Sequence, residues 1–148
     1  MPDASSVARP LRILWGAICA SGALAMAVLG ALAVTGEPPL PQAAEGAFYA
    51  SALLSVGTIA GAFALARAME GRLLRAGSDA EAAGLVRTFG VAALAVAEVP
   101  TLAGAAAAFL TGDLMPLAFG VPLFAFAWLT WPSDGRVAHW LSLRERSA

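Results

Sequence analysis

The chain contains 148 residues, of which 59% are apolar and 13% charged, and its mean hydropathy is +0.76. Soluble domains carry about a quarter charged residues, so this composition excludes an ordinary soluble domain and a disordered chain. The formal net charge is −1, all nine basic residues are arginine, and the single cysteine is Cys19. No nucleic-acid partner and no internal disulfide are expected, and the sequence predicts a small polytopic membrane protein.

Four apolar stretches follow in chain order, at residues 11–34, 47–68, 84–110 and 114–131. A hydrocarbon core of about 30 Å requires about 20 helical residues. The first three stretches meet that length, whereas the fourth is shorter and contains Pro122. Because backbone groups in lipid must pair internally, all four are predicted as helices. The predicted fold is all-α, a single domain of four transmembrane helices followed by a cytoplasmic tail at 132–148, in which a short surface helix is expected.

The arginines predict the orientation of these spans. Arginines lie at the N-terminal flank of the first stretch, in the loop between the second and third, and in the tail, whereas the other two loops have acidic residues and no basic one. The positive-inside rule therefore places both termini in the cytoplasm, most simply across a bacterial inner membrane. Four tryptophans near that side are expected as interfacial anchors: Trp15, Trp128, Trp131 and Trp140.

Small residues and prolines predict how the spans pack. Gly57 and Gly61 have GxxxG spacing, and Gly104 lies in an alanine-rich run, so these glycines are expected at helix contacts. Pro100 and Pro122 are expected to kink their helices. The tight loop at 111–113 makes the third and fourth spans antiparallel neighbours, and the first outer loop favours packing of the first span on the second. Ser78 and Glu81 form a capping box that begins the third helix.

Glu98 is the only ionisable residue deep in any span. A charge at the bilayer centre costs about 2.5–3.5 kcal/mol on permissive scales, and such residues are functional by default. Apolar surroundings disfavour the ionised form, so Glu98 is expected to be neutral at rest and able to exchange a proton. Thr101 lies one turn away, and matched depth places Ser55 and Thr58 of the second span nearby. These three hydroxyls are the expected partners of Glu98 in an ion-binding site.

Three segments carry a resemblance: ARAMEGR at 66–72, EAAGLVRT at 81–88 and ALAVAE at 93–98. Over about residues 50–110 the chain resembles the proteolipid (c-ring) subunits of rotary ATP synthases, as a divergent four-span variant. That family has a helical hairpin with a cytoplasmic polar loop, and an acidic residue in its second helix binds the transported ion. The resemblance implies that Glu98 is the ion-binding carboxylate, with H⁺ favoured over Na⁺.

Two functions remain open from the sequence. The first is a proteolipid-like protein whose Glu98 binds and releases protons within a homo-oligomer or with other membrane subunits. The second is a non-catalytic accessory subunit of a membrane complex, in which Glu98 is a buried hydrogen-bonding group. No catalytic residues, metal ligands or cofactors are predicted, since His139 is the sole histidine and lies in the tail.

Overall fold

A computed structural model describes residues 3–143 of the chain, and this part contains helices and no strand. The helices are α1 (Ala4–Thr35), α2 (Ala44–Leu73), α3 (Asp79–Thr111), α4 (Val121–Leu129) and α5 (Asp134–Ser142). Short 3-10 helices, Pro41–Ala43 and Met115–Gly120, precede α2 and α4. The first three α-helices are long and apolar enough to cross a membrane. A fourth crossing requires that Met115–Leu129 and α5 count together as one span bent by 74°.

Local hydrogen bonds set where α3 begins and ends. The Ser78 hydroxyl accepts the backbone N–H of Glu81 at 3.2 Å, and the Glu81 carboxylate accepts the N–H of Gly77 at 2.8 Å, which confirms Ser78 as the predicted N-cap. At the other end Gly112 adopts the left-handed conformation with φ +72° and donates its N–H to the Ala108 carbonyl. A glycine is favoured there because its missing Cβ removes the steric penalty of that conformation.

The central helix of the bundle is α3, which packs against α1, α2, α4 and the 3-10 helix Met115–Gly120. Half of the residues in the most apolar 18-residue segment of α3 are buried, compared with about a fifth of those in the corresponding segments of α1 and α2. The predicted contact of the third span with the fourth is confirmed. The expected packing of the first span on the second is wrong, because α1 and α2 lie on different sides of α3 and scarcely touch.

The fourth apolar stretch differs from the continuous helix predicted at 114–131. It begins as a 3-10 helix, continues as the nine-residue α4, and leaves helical geometry at Thr130. Pro122 lies in the first turn of α4, a position where the fixed φ of proline suits the start of a helix. Pro122 thus lies just after the change from 3-10 to α-helix, and the bend of 74° comes later, beside Pro132.

The predicted tail helix is present as α5, and it docks on one end of the bundle. Val137 and Leu141 are buried there against α1, α2 and α3. The Arg12 guanidinium donates to the Asp134 carboxylate at 2.6 Å and to the Pro132 carbonyl at 3.0 Å. We call this end, where α1 and α3 begin and α2 finishes, the Arg-bearing end. It carries the described arginines: Arg9, Arg12, Arg67, Arg72, Arg75, Arg87 and Arg136.

Candidate functional site at Glu98

Glu98 lies near the middle of α3, half-buried at the seam between α3 and α1. Across the seam, the Ser21 Oγ of α1 is 2.5 Å from Glu98 Oε1 and 2.9 Å from the backbone carbonyl oxygen of Ile18. The helices α1 and α3 run parallel along this seam. Arg87 likewise reaches the Ser6 carbonyl nearer the Arg-bearing end, so the pairing advances in the same direction along both helices.

The two contacts of the Ser21 hydroxyl can be compared for the ionised and the protonated form of Glu98. A serine hydroxyl has one proton to donate and two lone pairs to accept. If Glu98 is ionised, Ser21 can make a linear hydrogen bond to Glu98 or to Ile18, but not to both. If Glu98 is protonated, its O–H donates to Ser21, and Ser21 donates to the Ile18 carbonyl. The protonated carboxyl therefore fits both contacts, and ionisation requires only that the Ser21 hydroxyl rotate toward Glu98.

The pair of Glu98 and Ser21 opens onto the surface of the bundle. Ser21 is exposed, and on α3 the neighbours Val99 and Leu102 are 40% and 45% exposed. Apolar side chains therefore surround the outer side of the contact between α1 and α3, and the Glu98 carboxyl lies at the edge of this contact. Such a carboxyl is reachable from outside the bundle without unpacking the central helix.

The predicted hydroxyl partners of Glu98 lie elsewhere. Thr101 is buried on the side of α3 that faces the 3-10 helix Met115–Gly120, and it donates to the Gly120 carbonyl at 3.4 Å. Thr58 donates to carbonyl oxygens of its own helix, and Ser55 is buried on α2. These placements correct the expected site, because Glu98 points toward α1 rather than toward α2. The ion-binding role of Glu98 itself stays a prediction.

The predicted packing residues divide into three cases. A Cβ added at Gly104 would lie 2.3 Å from the Pro116 carbonyl oxygen, so α3 and the chain before α4 approach closely there. Gly61 makes an ordinary contact, since its added Cβ would be 3.7 Å from Val96. Gly57 faces open space, so its predicted role in packing within this chain is wrong. Pro100 is buried within α3, which continues as a helix on both sides of it.

The tryptophans also differ in their surroundings. Trp128 is 83% exposed and Trp131 44%, as expected of interfacial anchors. Trp15 is only 1% exposed and stacks on Phe126 with ring centroids 6.4 Å apart, so its expected role as an exposed anchor is wrong. It belongs instead to a cluster that joins α1, α3 and α4.

No metal-binding cluster of three or more His, Cys, Asp or Glu residues occurs within residues 3–143. His139 is exposed on α5, and Cys19 is a partly buried free thiol on α1. Comparison with known protein families, curated proteins and solved structures finds no match to this chain.

Proposed function

We propose that this chain is an integral membrane protein in which Glu98 binds and releases a proton at mid-membrane depth. The observation that carries the proposal is the contact of Glu98 with Ser21, whose geometry suits a protonated carboxyl with a simple route to ionisation. In this proposal the resting acid donates to Ser21. Loss of the proton turns the Ser21 hydroxyl toward the carboxylate, which gains a charge-assisted hydrogen bond.

The proposed membrane placement follows from the apolar surfaces of α1, α2 and α3. Large apolar side chains are exposed along these helices, for example Leu24 at 65%, Leu53 at 75% and Phe63 at 62%. Hydrocarbon would cover these surfaces, and the Arg-bearing end would lie in the cytoplasm by the positive-inside rule. Glu98 would then face lipid or a neighbouring protein near the middle of the bilayer.

A single carboxyl binds a proton but makes no complete path across a membrane. We therefore place this protein in a homo-oligomer or with other membrane subunits, whose groups would supply or accept the proton. The proposed likeness to the proteolipid hairpin concerns α2 and α3, with Glu98 in the second helix of the pair. The half-buried position of Glu98 at the edge of the bundle supports this arrangement, because a rotor-type carboxyl must meet a partner surface.

The test is labelling by a hydrophobic carbodiimide, which attacks an accessible protonated carboxyl, followed by peptide mass spectrometry across a pH series. We expect rapid labelling of Glu98 that fades as the pH rises, and no labelling at this position in Glu98→Gln. Glu45 is exposed in the first turn of α2 and provides a reference carboxyl in the same sample.

Two serine variants sharpen the test. A hydrogen bond stabilises a charged group more than a neutral one, so the Ser21 hydroxyl favours the carboxylate over the acid. Ser21→Ala should therefore extend labelling of Glu98 to higher pH. Ser55→Ala removes the hydroxyl that the sequence favoured as a partner, and it should leave the pH profile unchanged.

The alternative is an accessory subunit in which Glu98 only joins α1 to α3 through Ser21. This function has one specific observation in its favour, namely that the hydrogen bond crosses between two helices. It predicts no labelling of Glu98 in the folded protein but labelling after denaturation. It also predicts a nearly silent Glu98→Gln, because glutamine can make the same hydrogen bond.

A further inference from the structure

Ionised Glu98 has no positively charged partner within residues 3–143. The nearest arginine along α3 is Arg87, which lies 11 residues earlier, about 16 Å at the helical rise. On α1, Arg12 is paired with a carboxylate of α5 at the Arg-bearing end. The other titratable group beside Glu98 is the Cys19 thiol of α1, and a thiol supplies no positive charge. The helix α2 carries charges only near its ends, and α4 carries none. The carboxylate therefore has only the hydrogen bond from Ser21 in the described part of the chain.

A carboxylate in hydrocarbon requires a positive charge nearby, because an isolated charge is costly at that depth. The contact of Glu98 with Ser21 lies on the exposed surface of the bundle, so a cation can reach it from the side. Exposed apolar side chains lie one turn away on either side of this pair: Ala17 and Leu24 on α1, and Ala95 and Leu102 on α3. A cation that binds here must therefore suit apolar surroundings.

The four apolar neighbours differ in size on the two sides of the carboxyl. The alanines, Ala17 and Ala95, lie toward the Arg-bearing end, and the leucines, Leu24 and Leu102, lie toward the opposite end. A methyl group projects less from a helix than an isobutyl group does, so the surface is lower on the alanine side. This difference leaves space beside the carboxyl for a bulky apolar substituent.

The oxygen atoms at this site are too few for a divalent metal ion. Ca²⁺ and Mg²⁺ take about six or more oxygen ligands, whereas Glu98 and Ser21 supply three side-chain oxygens and Ile18 at most one carbonyl. An organic cation needs no such set of ligands. Spreading the positive charge over a larger group also weakens its hydration, as in a guanidinium group, which lowers the cost of leaving water.

We propose that ionised Glu98 binds a monovalent organic cation with apolar substituents, which enters laterally from the membrane. The carboxylate would face the positive charge, and the substituents would cover Ala17 and Ala95. This inference rests on the accessible, ionisable Glu98 of the proposed function. When the resting acid binds the cation, its O–H bond breaks and the proton leaves to water, so that one positive charge replaces another.

The experiment measures binding of tetraphenylphosphonium to the purified full-length chain in detergent by equilibrium dialysis. Tetraphenylborate, which has nearly the same size and shape but the opposite charge, is the matched probe. We expect saturable binding of the cation, and none of the anion beyond its partition into empty micelles. Glu98→Gln should abolish the saturable binding. Glu45→Gln, at an exposed carboxyl of α2, and Cys19→Ala, beside the site, should retain it.

Proton and cation should compete for the same carboxylate. Linkage makes this competition reciprocal, so the apparent Kd should fall about tenfold for each pH unit while Glu98 is protonated and become constant once it is ionised. Calorimetric titration in two buffers of different ionisation enthalpy should show about one proton released per bound cation in the lower pH range and none in the upper one. The cation should also slow carbodiimide labelling of Glu98 but not of Glu45.

A matched pair of substitutions tests the shape of the site. Ala95→Leu raises the surface beside the carboxyl and should weaken tetraphenylphosphonium binding about fivefold or more, through the cost of overpacking. Ala60→Leu makes the same change on the exposed surface of α2 and should leave the affinity unchanged. Unchanged binding in Ala95→Leu would contradict this placement of the substituents.

Three results would overturn the inference. They are equal saturable binding in the wild type and Glu98→Gln, equal binding of tetraphenylborate, and displacement by NaCl but not by KCl at the same ionic strength, which would assign the site to sodium. Labelling of Glu98 that fades with rising pH, without Glu98-dependent binding of the cation, would refute this inference alone. Cation binding that depends on Glu98 but releases no proton at any pH would refute the proton-binding proposal alone.

Discussion

Gly104→Ala should be the most damaging single added methyl group in this bundle. Its Cβ would lie 2.3 Å from the Pro116 carbonyl oxygen, whereas carbon and oxygen normally approach to about 3.3 Å. The two backbones must therefore separate by about 1 Å, because a carbonyl oxygen cannot rotate away as a side chain can. Overpacking costs up to about 3 kcal/mol, and alanine recovers at most about 1 kcal/mol in helix propensity. The expected net loss is about 2 kcal/mol.

Thermal unfolding in detergent micelles measures this loss. The chain contains one cysteine, Cys19, which packs beside the cluster around Trp15, so a maleimide dye that fluoresces on reaction with thiol reports unfolding. At about 2–4 °C per kcal/mol for a chain of this size, Tm should fall by about 4–8 °C. Gly84→Ala is the matched control in the same helix, because its added Cβ meets nothing within 4 Å, and it should raise Tm slightly.

A Gly104→Ala protein with unchanged or higher Tm would contradict the close approach of α3 to the 3-10 helix Met115–Gly120. A fall of similar size in Gly84→Ala would also contradict the reasoning, because it would show that any alanine in α3 is harmful. The contrast between these two variants, rather than either value alone, is what the structure predicts.

Three further substitutions have expected effects in the same unfolding assay. Gly120→Ala should cost less than Gly104→Ala, since its added Cβ meets the flexible Met26 thioether at 2.6 Å, and an equal or larger cost would contradict this. Arg12→Gln should lower stability by no more than about 1 kcal/mol, because its ion pair with Asp134 is partly exposed; a loss that disappears in high salt would confirm an electrostatic origin. Gly112→Ala should cost about 1–2 kcal/mol through its positive φ, and a neutral result would be inconsistent with the left-handed cap.

The sequence predicted the helical class and the three long helices because these depend on local properties. Composition and apolar length identify the helices, and the capping box at Ser78 places the start of α3. The outer loop at 111–113 likewise places the fourth stretch beside α3, because three residues are too few to connect α3 to a helix that is not its neighbour. The failure at 114–131 also has a local cause, since Pro116 and Pro122 favour a 3-10 helix and a late start for α4.

The site was harder to predict because it depends on which face of α3 meets which helix. Matched depth across the predicted hairpin of the second and third spans indicated Ser55 and Thr58 as partners, and it gave no information about the first span. Ser21 follows the start of its apolar stretch by 10 residues and Glu98 follows the start of its own by 14, so two helices that enter from the same end bring them to similar depths. That signal was present in the sequence, but only the assembled bundle shows that α1 is the helix facing Glu98.

The shortness of α4 has a consequence for the bilayer around the protein. Six residues of 3-10 helix and nine of α-helix span about 25 Å, against a hydrocarbon thickness of about 30 Å. On insertion as proposed, this hydrophobic mismatch of about 5 Å would draw the leaflets together beside α4 while the longer helices hold the normal thickness elsewhere. The protein would then carry a lopsided deformation of the membrane. Two neighbouring molecules would share one thinned region of the bilayer, and so reduce its energy, if their α4 sides faced each other. The mismatch therefore favours one orientation of association even without a specific protein contact.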